Sequence, residues 1–492
     1  MIGSKQTGHL HGLFFSFFFD GVKGPAPSFE DMAQQSFSPI FEHKENGMKK
    51  LLLAAAVLVN VTLRAQVLSL RGQAAVVNQL LAERLNNLLP VLMEKTRIDM
   101  WVVISREYNE DPIIKTMLPA EWLYARRRTI LVFYNNPGKK IYEKLAIARY
   151  NVGSEVKAAW DMQKFPNQWD ALVDLITSRK PAKIALNTST DFAHADGLDH
   201  TEYNELIQHL PATYKSKVVP AEPLAVGWME TRTAHEMQIY PQLVNATHKI
   251  IEEGFSEKVI TPGITTTDDV VWWFRQKIRE LGYDTWFHPS VSIQRNDPQN
   301  FDHLRSFSDR PKDDVIVPGD LLHVDIGITY LRLNTDIQEH AYILQPGETA
   351  VPNGLKEAFA KATRLQDILT SQFKEGKTGN QILADALAQA KTEGIQPSIY
   401  THPIGYNGHA AGPTIGLWDQ QNGVPGSGDY AIHYNTAYSI ELNAASNIPE
   451  WKKDIRIMLE EDGFFDEKGF RYINDRQKEI YLIPRKMVNT GQ

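Results

Sequence analysis

The segment HVDIGITYLRLNTD, residues 323–336, places Asp325 and Asp336 in an otherwise apolar, β-prone stretch. A carboxylate in such surroundings is costly unless its charge is compensated. Three further segments of the C-terminal half offer ligands suited to hard metal ions. His402 and His409 stand among glycines in THPIGYNGHAAGPTIGLWDQQ, residues 401–421. Glu441 ends the apolar run of AYSIELNA, and Glu460 and Glu461 follow alternating residues in IRIMLEEDGFF. Each has an ordinary explanation by itself: a turn-forming aspartate, a satisfied histidine, a glutamate where a strand reaches water. As a set, four carboxylates and an imidazole supply oxygen and nitrogen donors without sulfur, which suits Mn, Co, Fe or Zn. Bridging carboxylates can hold two such ions roughly 3.5–4 Å apart and activate a shared water.

These residues need a scaffold. Apolar spacing through Leu80, Leu81, Leu85, Leu88 and Leu92 predicts a helix in the stretch VVNQLLAERLNNLLPVLMEK. Short β-rich runs at 100–105, 128–134, 144–150 and 183–187 alternate with amphipathic segments, as expected of an α/β domain over 75–225. Pro220, Pro223 and Gly227 predict a linker after it. The second domain, 228–485, opens with a helix whose apolar stripe runs through Ile239, Leu243, Ala246 and Ile250. Another helix follows in TTTDDVVWWFRQKIRELG, with threonine caps, acidic first-turn residues and a stop at Gly282. From 285 onward the pattern is β-rich, except for roughly 353–393.

The chain has 492 residues, a formal net charge of -7 and no cysteine. That length suggests two or three domains, and the change of pattern along the chain favours two. The acidic balance argues against a nucleic-acid partner, which would call for a basic face. Without cysteine there are no disulfides, thiolate metal sites, cysteine nucleophiles or lipoprotein anchors. Residues 48–65, MKKLLLAAAVLVNVTLRA, read as a signal peptide cut after Ala65: two lysines, a short apolar run, a small residue at the cut. That apolar run is too short to span a bilayer, and no other segment is long enough. The preceding residues 1–47 read as an upstream extension from a misplaced start. The expectation is an exported protein, periplasmic or secreted, with no membrane span in the mature chain.

The order and spacing of Asp325, Asp336, His409, Glu441 and Glu460 resemble the ligand signature of the M24 "pita-bread" metallopeptidases. VITPGITTTDD resembles the family's PG-x-T turn and helix, and VPGDLLHVDIG resembles its GD-hydrophobic-D-x-G strand. A preceding α/β domain is the arrangement of the aminopeptidase P and prolidase branch. The resemblance implies an α/β, creatinase-N-like N-terminal domain followed by an α+β pita-bread (creatinase/aminopeptidase) catalytic domain. It also implies two divalent metal ions, manganese first, with cobalt or zinc as alternatives. By resemblance Asp325 chelates one ion and Asp336 bridges both. His409 matches the ligand histidine followed by two residues and a glycine. Glu441 is a ligand that also shuttles the proton. Glu460 is chosen over Glu461 because it shares strand parity with Arg456 and Met458 and stands nine residues before Gly469. His303, in NFDHLRSF, stands roughly where relatives keep a histidine near the scissile bond; a solvated loop residue is the equal alternative. His402 matches an extra histidine before the ligand, but seven residues before it instead of four.

The implied reaction is hydrolysis of an N-terminal Xaa-Pro bond of a peptide by a metal-bridging hydroxide. Glu441 would act as base, and His303 or His402 would stabilise the oxyanion. The alternatives are a prolidase-type dipeptidase and, in another class, a non-catalytic pita-bread binding protein. Relatives commonly form dimers or tetramers, so a homo-oligomer is expected. The surrounding motifs depart from the family pattern. Its ITR is here Ile337-Gln338-Glu339, its IEPG is IELN, and the histidine of its GLDVH falls on Gln420.

Overall fold

The computed structural model describes residues 67–296 and 314–485. The upstream extension 1–47, the signal segment 48–65 and His303 lie outside the described residues.

The N-terminal domain is built on one mixed sheet. Its strands are β1 (Met100–Arg106), β2 (Arg128–Asn136), β3 (Ile141–Ala146), β4 (Lys157–Ala158), β5 (Ile184–Leu186) and β6 (Val218–Pro220), in the order β4-β3-β2-β1-β5-β6. β1 pairs antiparallel with β2 and parallel with β5. Both faces are covered. Met100, Val102 and Ile104 join Trp169, Leu172, Ile176 and Leu206 of the helices Gln168–Arg179 and His200–His209. Trp101 and Val103 face the other way, into a core with Leu85, Leu89, Leu92 and Trp228. Burial on both sides is why MWVVIS and RTILVFY lack a polar alternation.

The segment expected as a linker is instead the helix Glu222–Glu230, which forms part of this core. Pro223 lies in its first turn, where a missing N–H breaks no helical hydrogen bond. Gly227 fits because a Cβ there would stand 3.2 Å from Leu92 Cδ2. Trp228 is fully buried and donates its indole N–H to Thr116 Oγ1 at 2.7 Å. Proline and glycine here serve packing, and local sequence cannot distinguish that from chain breaking.

In the C-terminal domain, β7 (Ser290–Gln294), β8 (Leu321–Ile326), β11 (Ile337–Ile343) and β19 (Tyr481–Ile483) form one sheet in the order β19-β11-β8-β7; β9 (Thr329–Tyr330) and β10 (Leu333–Asn334) make a small hairpin between β8 and β11. Helices Ala234–Gly254 and Thr267–Glu280 cover its outer face, burying Leu322, Val324, Ile326, Ile337 and Ala341. Two more sheets follow. One is β12 (Gln396–Ile399), β15 (Leu442–Ile448) and β16 (Lys453–Leu459); the other is β13 (His402–Ile404), β14 (Thr436–Ser439), β17 (Asp462–Asp466) and β18 (Gly469–Tyr472). The helical region expected over 353–393 is a pair, Asn353–Ser371 and Gly379–Thr392, packed on Leu442, Ala444, Ile455 and Ile457.

A buried cation joins the two domains. Arg84 opens a π-helical turn, Arg84–Leu88, between helices Leu70–Glu83 and Leu89–Thr96, and is fully buried. Its Nη1 donates to the Thr231 carbonyl at 2.8 Å and to Glu236 Oε2 at 3.0 Å, and its Nη2 donates to the Trp228 carbonyl. The guanidinium lies 4.5 Å from the Trp228 ring centroid and 4.9 Å from that of Tyr406. Burial opposes the charge of Glu236, but Arg232 and Arg84 outweigh it and hold that carboxyl below its usual range. Removing one partner of a buried pair strands the other. Arg84→Met should therefore lower the unfolding free energy by up to about 3–5 kcal/mol, and adding Glu236→Leu should lower it further, because it leaves the buried Arg232, 3.6 Å from Glu236, without its carboxylate. Denaturant titration of both variants checks this; a near-neutral single variant would mean the pair is not coupling the domains.

Candidate metal centre

The inner face of the β8–β11 pair carries the polar residues. Leu322, Val324 and Ile326 point to the helices, so His323 and Asp325 point the other way. Across the ladder Gln338 pairs with Asp325 and His340 with His323, which puts all four on one face. Asp336 immediately precedes β11, and its backbone N–H reaches Asp462 Oδ2 at 3.3 Å.

Glu441 and Glu460 occupy two sheet corners. The chain leaves β14 at Ser439 and joins β15, of the other sheet, at Leu442; it leaves β16 at Leu459 and joins β17 at Asp462. Glu441 and Glu460 stand in these two crossings. His402 opens β13 and pairs with Ser439, which in turn pairs with Asp462. Tyr400 N–H and Thr401 Oγ1 both donate to the Glu441 carbonyl, at 3.1 and 3.0 Å. The Gly405 carbonyl accepts from Asn334 N and Nδ2, both at 2.9 Å, fastening the histidine loop beside Asp336.

These anchors bring Asp325, Asp336, His402, Glu441 and Glu460 together in overlapping groups whose ligand atoms lie within 4.8 Å of one another. His402 Nε2 is 3.8 Å from Asp336 Oδ2 and 3.7 Å from Glu460 Oε1. Its Nδ1 lies 3.0 Å from the Pro403 carbonyl, which accepts from it, and Nε2 is the nitrogen that faces the carboxylates. Burial pushes the Asp336 carboxyl well above its usual range, and Glu460, Asp325 and Glu441 push it further. Glu441 is raised for the same reasons, first by burial and then by Glu460 and Asp325. Asp336 Oδ1 and His402 Nε2 are buried and have no hydrogen-bond partner among the described residues. A divalent cation would engage these orphaned donors and relieve the mutual repulsion, so the donor set fits the expected metal.

The two histidines have different surroundings. His402 is 3% exposed and shares one group with Glu441 and Glu460, and another with Asp336 and His409. His409 belongs only to the latter and stands at the open rim, with Trp286, Tyr400 and His402 ring centroids 5.2, 5.8 and 4.7 Å from its own. Desolvation and then His402 lower its pKa to about 4, so the ring is neutral. The geometry shifts the inner position from His409, where the sequence pattern put it, to His402. Two matches to that pattern exist, His402–Gly405 and His409–Gly412, and only the fold distinguishes them. Glu461 turns away from the centre, toward His248 and Glu339. His303 lies outside the described residues.

Several residues around the centre gave no sequence signal. Trp286 donates to the Thr335 carbonyl at 2.9 Å and fills the space above Gly327 and Gly408, where a Cβ would stand 2.2 Å from its ring atoms. Those glycines, visible in sequence, mark the space that the tryptophan takes. Tyr400 is kept neutral by burial, with Glu441, Glu460 and Asp336 adding to the effect.

The position of the missing family arginine is also explained. Glu339 points into the helix-covered face, where His248 Nδ1 meets its Oε1 at 2.8 Å while Nε2 lies 3.4 Å from Glu461 Oε2. Burial disfavours the charge on His248, but Glu461 and Glu339 overcome it and raise the pKa to about 9. The cation here comes from the helix Ala234–Gly254 instead of from the strand.

This fold and donor set define a metallopeptidase-like catalytic domain behind an α/β domain. Residues 242–462 match the sequence model of metallopeptidase family M24. Similar solved structures include the X-Pro aminopeptidase of Thermotoga maritima, at 17% identity and TM-score 0.56, covering 79% of this chain and 99% of that one. The Xaa-Pro dipeptidase of Bacillus anthracis matches at 16% identity and TM-score 0.53, covering 82% and 99%. Dipeptidase PepE of Mycobacterium ulcerans matches at 17% and 0.54, covering 83% and 99%. These likenesses establish the shared fold, including an N-terminal domain before the catalytic one. Comparison with curated protein sequences gave no match.

The His248 pair carries a pH signature. An unfolded histidine titrates near 6.5, and the folded value is about 9. The stabilisation it adds is therefore complete below pH 6.5 and is lost as pH rises through 9. Glu461, raised to about 8 by burial, acts in the same direction. His248→Gln should be clearly less stable than the wild type at pH 6.5, with the gap closing by pH 9.5 in parallel thermal melts. A gap that does not change with pH would show that His248 is not the cation.

Proposed function

We propose that the chain is a divalent-metal-dependent exopeptidase that cleaves the bond between an N-terminal residue and a following proline. The observation that carries this reading is the convergence of Asp325, Asp336, His402, Glu441 and Glu460 inside an M24 domain. The named activities of the aminopeptidase and dipeptidase structures sharing the fold support it. In this reading Asp325, Asp336, His402, Glu441 and Glu460 hold two divalent ions, manganese ahead of cobalt or zinc. Bound there, such ions supply Lewis acidity and acidify a water to near neutrality.

The rest of the reaction belongs to the protein's own groups. Glu441 takes the proton of the attacking water and hands it to the leaving nitrogen, which in a prolyl substrate is a ring amine without its own N–H. His409, neutral and at the rim, hydrogen-bonds the carbonyl oxygen as charge develops, a role the sequence pattern offered to His303 or His402. Tyr400 remains an O–H donor throughout. The Trp286 ring supplies an apolar wall beside His409. A prolidase-type dipeptidase is the second reading, favoured by the dipeptidase among the structures sharing the fold. We further propose export of the mature chain and assembly as a homo-oligomer. Among the described residues no helix is long and apolar enough to cross a membrane.

Metal analysis and peptide hydrolysis test the assignment. The purified protein should hold at least one divalent ion per chain and, after chelation, regain cleavage with Mn, Co or Zn. Cleavage of X-Pro-Y tripeptides alone selects the aminopeptidase; cleavage of X-Pro dipeptides selects the prolidase. No metal and no restored cleavage would remove the peptidase reading. The two histidines separate by readout. His402→Ala should lose bound metal, whereas His409→Ala should keep it and lose about 10²–10³-fold in kcat. The reverse pattern would return the ligand role to His409.

A further inference from the structure

Behind the ligands lies a line of polar groups that none of the roles above uses. Gln338 is 5% exposed. Its Nε2 donates to Glu460 Oε2 at 2.6 Å and to Glu441 Oε1 at 3.0 Å. Its Oε1 lies 2.8 Å from His323 Nε2, and His323 Nδ1 lies 3.4 Å from Ser292 Oγ. The backbones of Gln338 and Glu460 also bond each other, N to O, at 3.0 and 3.3 Å.

The chemistry of an amide fixes its orientation. A primary amide has two N–H donors, and here each meets a carboxylate oxygen. Flipping it would set a carbonyl oxygen against two carboxylates. With the oxygen facing His323, that ring donates from Nε2 and accepts the Ser292 hydroxyl at Nδ1. The line therefore runs in one direction, from Ser292 through His323 and Gln338 to both glutamates.

We infer that Gln338 is a positioning residue that orients Glu441 and Glu460 as a pair for metal binding, and that His323 and Ser292 hold its amide in register. This rests on the metal centre assigned above. Glu441 and Glu460 come from separate sheet corners, and Gln338 reaches both side chains. Ser439 Oγ bonds only the Glu460 side of the pair. Gln338 does this without adding charge to a site already rich in carboxylates. The threonine of the related ITR motif would stand at this position, and its single hydroxyl has one hydrogen to donate, not two.

Binding of Co²⁺ to the metal-free protein tests the role, with affinity read by chelator competition and geometry by the visible spectrum. Gln338→Leu, similar in size, should weaken Co²⁺ by about 10–100-fold and change the spectrum. His323→Leu should show a smaller loss in the same direction, and His323→Gln, which can donate to the Gln338 oxygen, should restore it. If Gln338→Leu fails to fold, the His323 pair decides. Unchanged affinity and spectrum in Gln338→Leu, or equal losses in His323→Leu and His323→Gln, would overturn the positioning role. Wild-type protein that binds no Co²⁺ would overturn the metal centre itself, and this inference with it.

Discussion

Four carboxylates converge on one interior point, and the rest of the C-terminal domain is arranged around making that tolerable. Like charges in a desolvated setting raise each other's pKa, as Asp336 and Glu441 show. Protonation could relieve them, but it would leave Asp336 Oδ1 and His402 Nε2 still orphaned. A divalent cation would relieve the repulsion and engage both atoms at once. The site is therefore costly when empty, and it is held together by the surrounding apolar cores.

The cores do this by dividing the strands by face. On β8 and β11 the outward residues bury against helices Ala234–Gly254 and Thr267–Glu280, leaving the inward positions for polar groups. On the other side, the helix pair Asn353–Ser371 and Gly379–Thr392 packs on β15 and β16. The two glutamates occupy the corners where a strand changes sheet. Backbone bonds from Tyr400 to Glu441 and between Gln338 and Glu460 then fix their spacing. Arg84 adds a link across domains: it contacts Glu236 and, through Tyr406, approaches the loop between His402 and His409.

Two departures from the family pattern make physical sense as exchanges, one of charge and one of hydrogen-bond donors. Glu339 replaces an arginine with an acid, and His248, from a facing helix, supplies the cation between Glu339 and Glu461. Replacing the threonine by Gln338 adds a second donor, and the two donors reach Glu441 and Glu460. Neither exchange can be understood from the strand alone, because each partner is remote in sequence.

Much could be read from the chain itself. Apolar, β-prone runs and helical spacing marked the elements that carry or flank Asp325, Asp336 and Glu441, and strand parity separated Glu460 from Glu461. Those features are local, carried by residues two to four apart. The sequence misread Pro220–Gly227 as a linker because tight packing and chain breaking use the same residue types. It put the ligand role on His409, although His402 satisfies the same short pattern. Trp286, His248 and the link from Ser292 through His323 to Gln338 left no trace in it, although Gln338 itself stood out as a departure from the ITR motif. Only the tertiary structure decided these, because burial, lone-pair direction and charge compensation depend on neighbours brought from distant segments. The order of ligands is a property of the chain, whereas which nitrogen faces which carboxylate is a property of the fold.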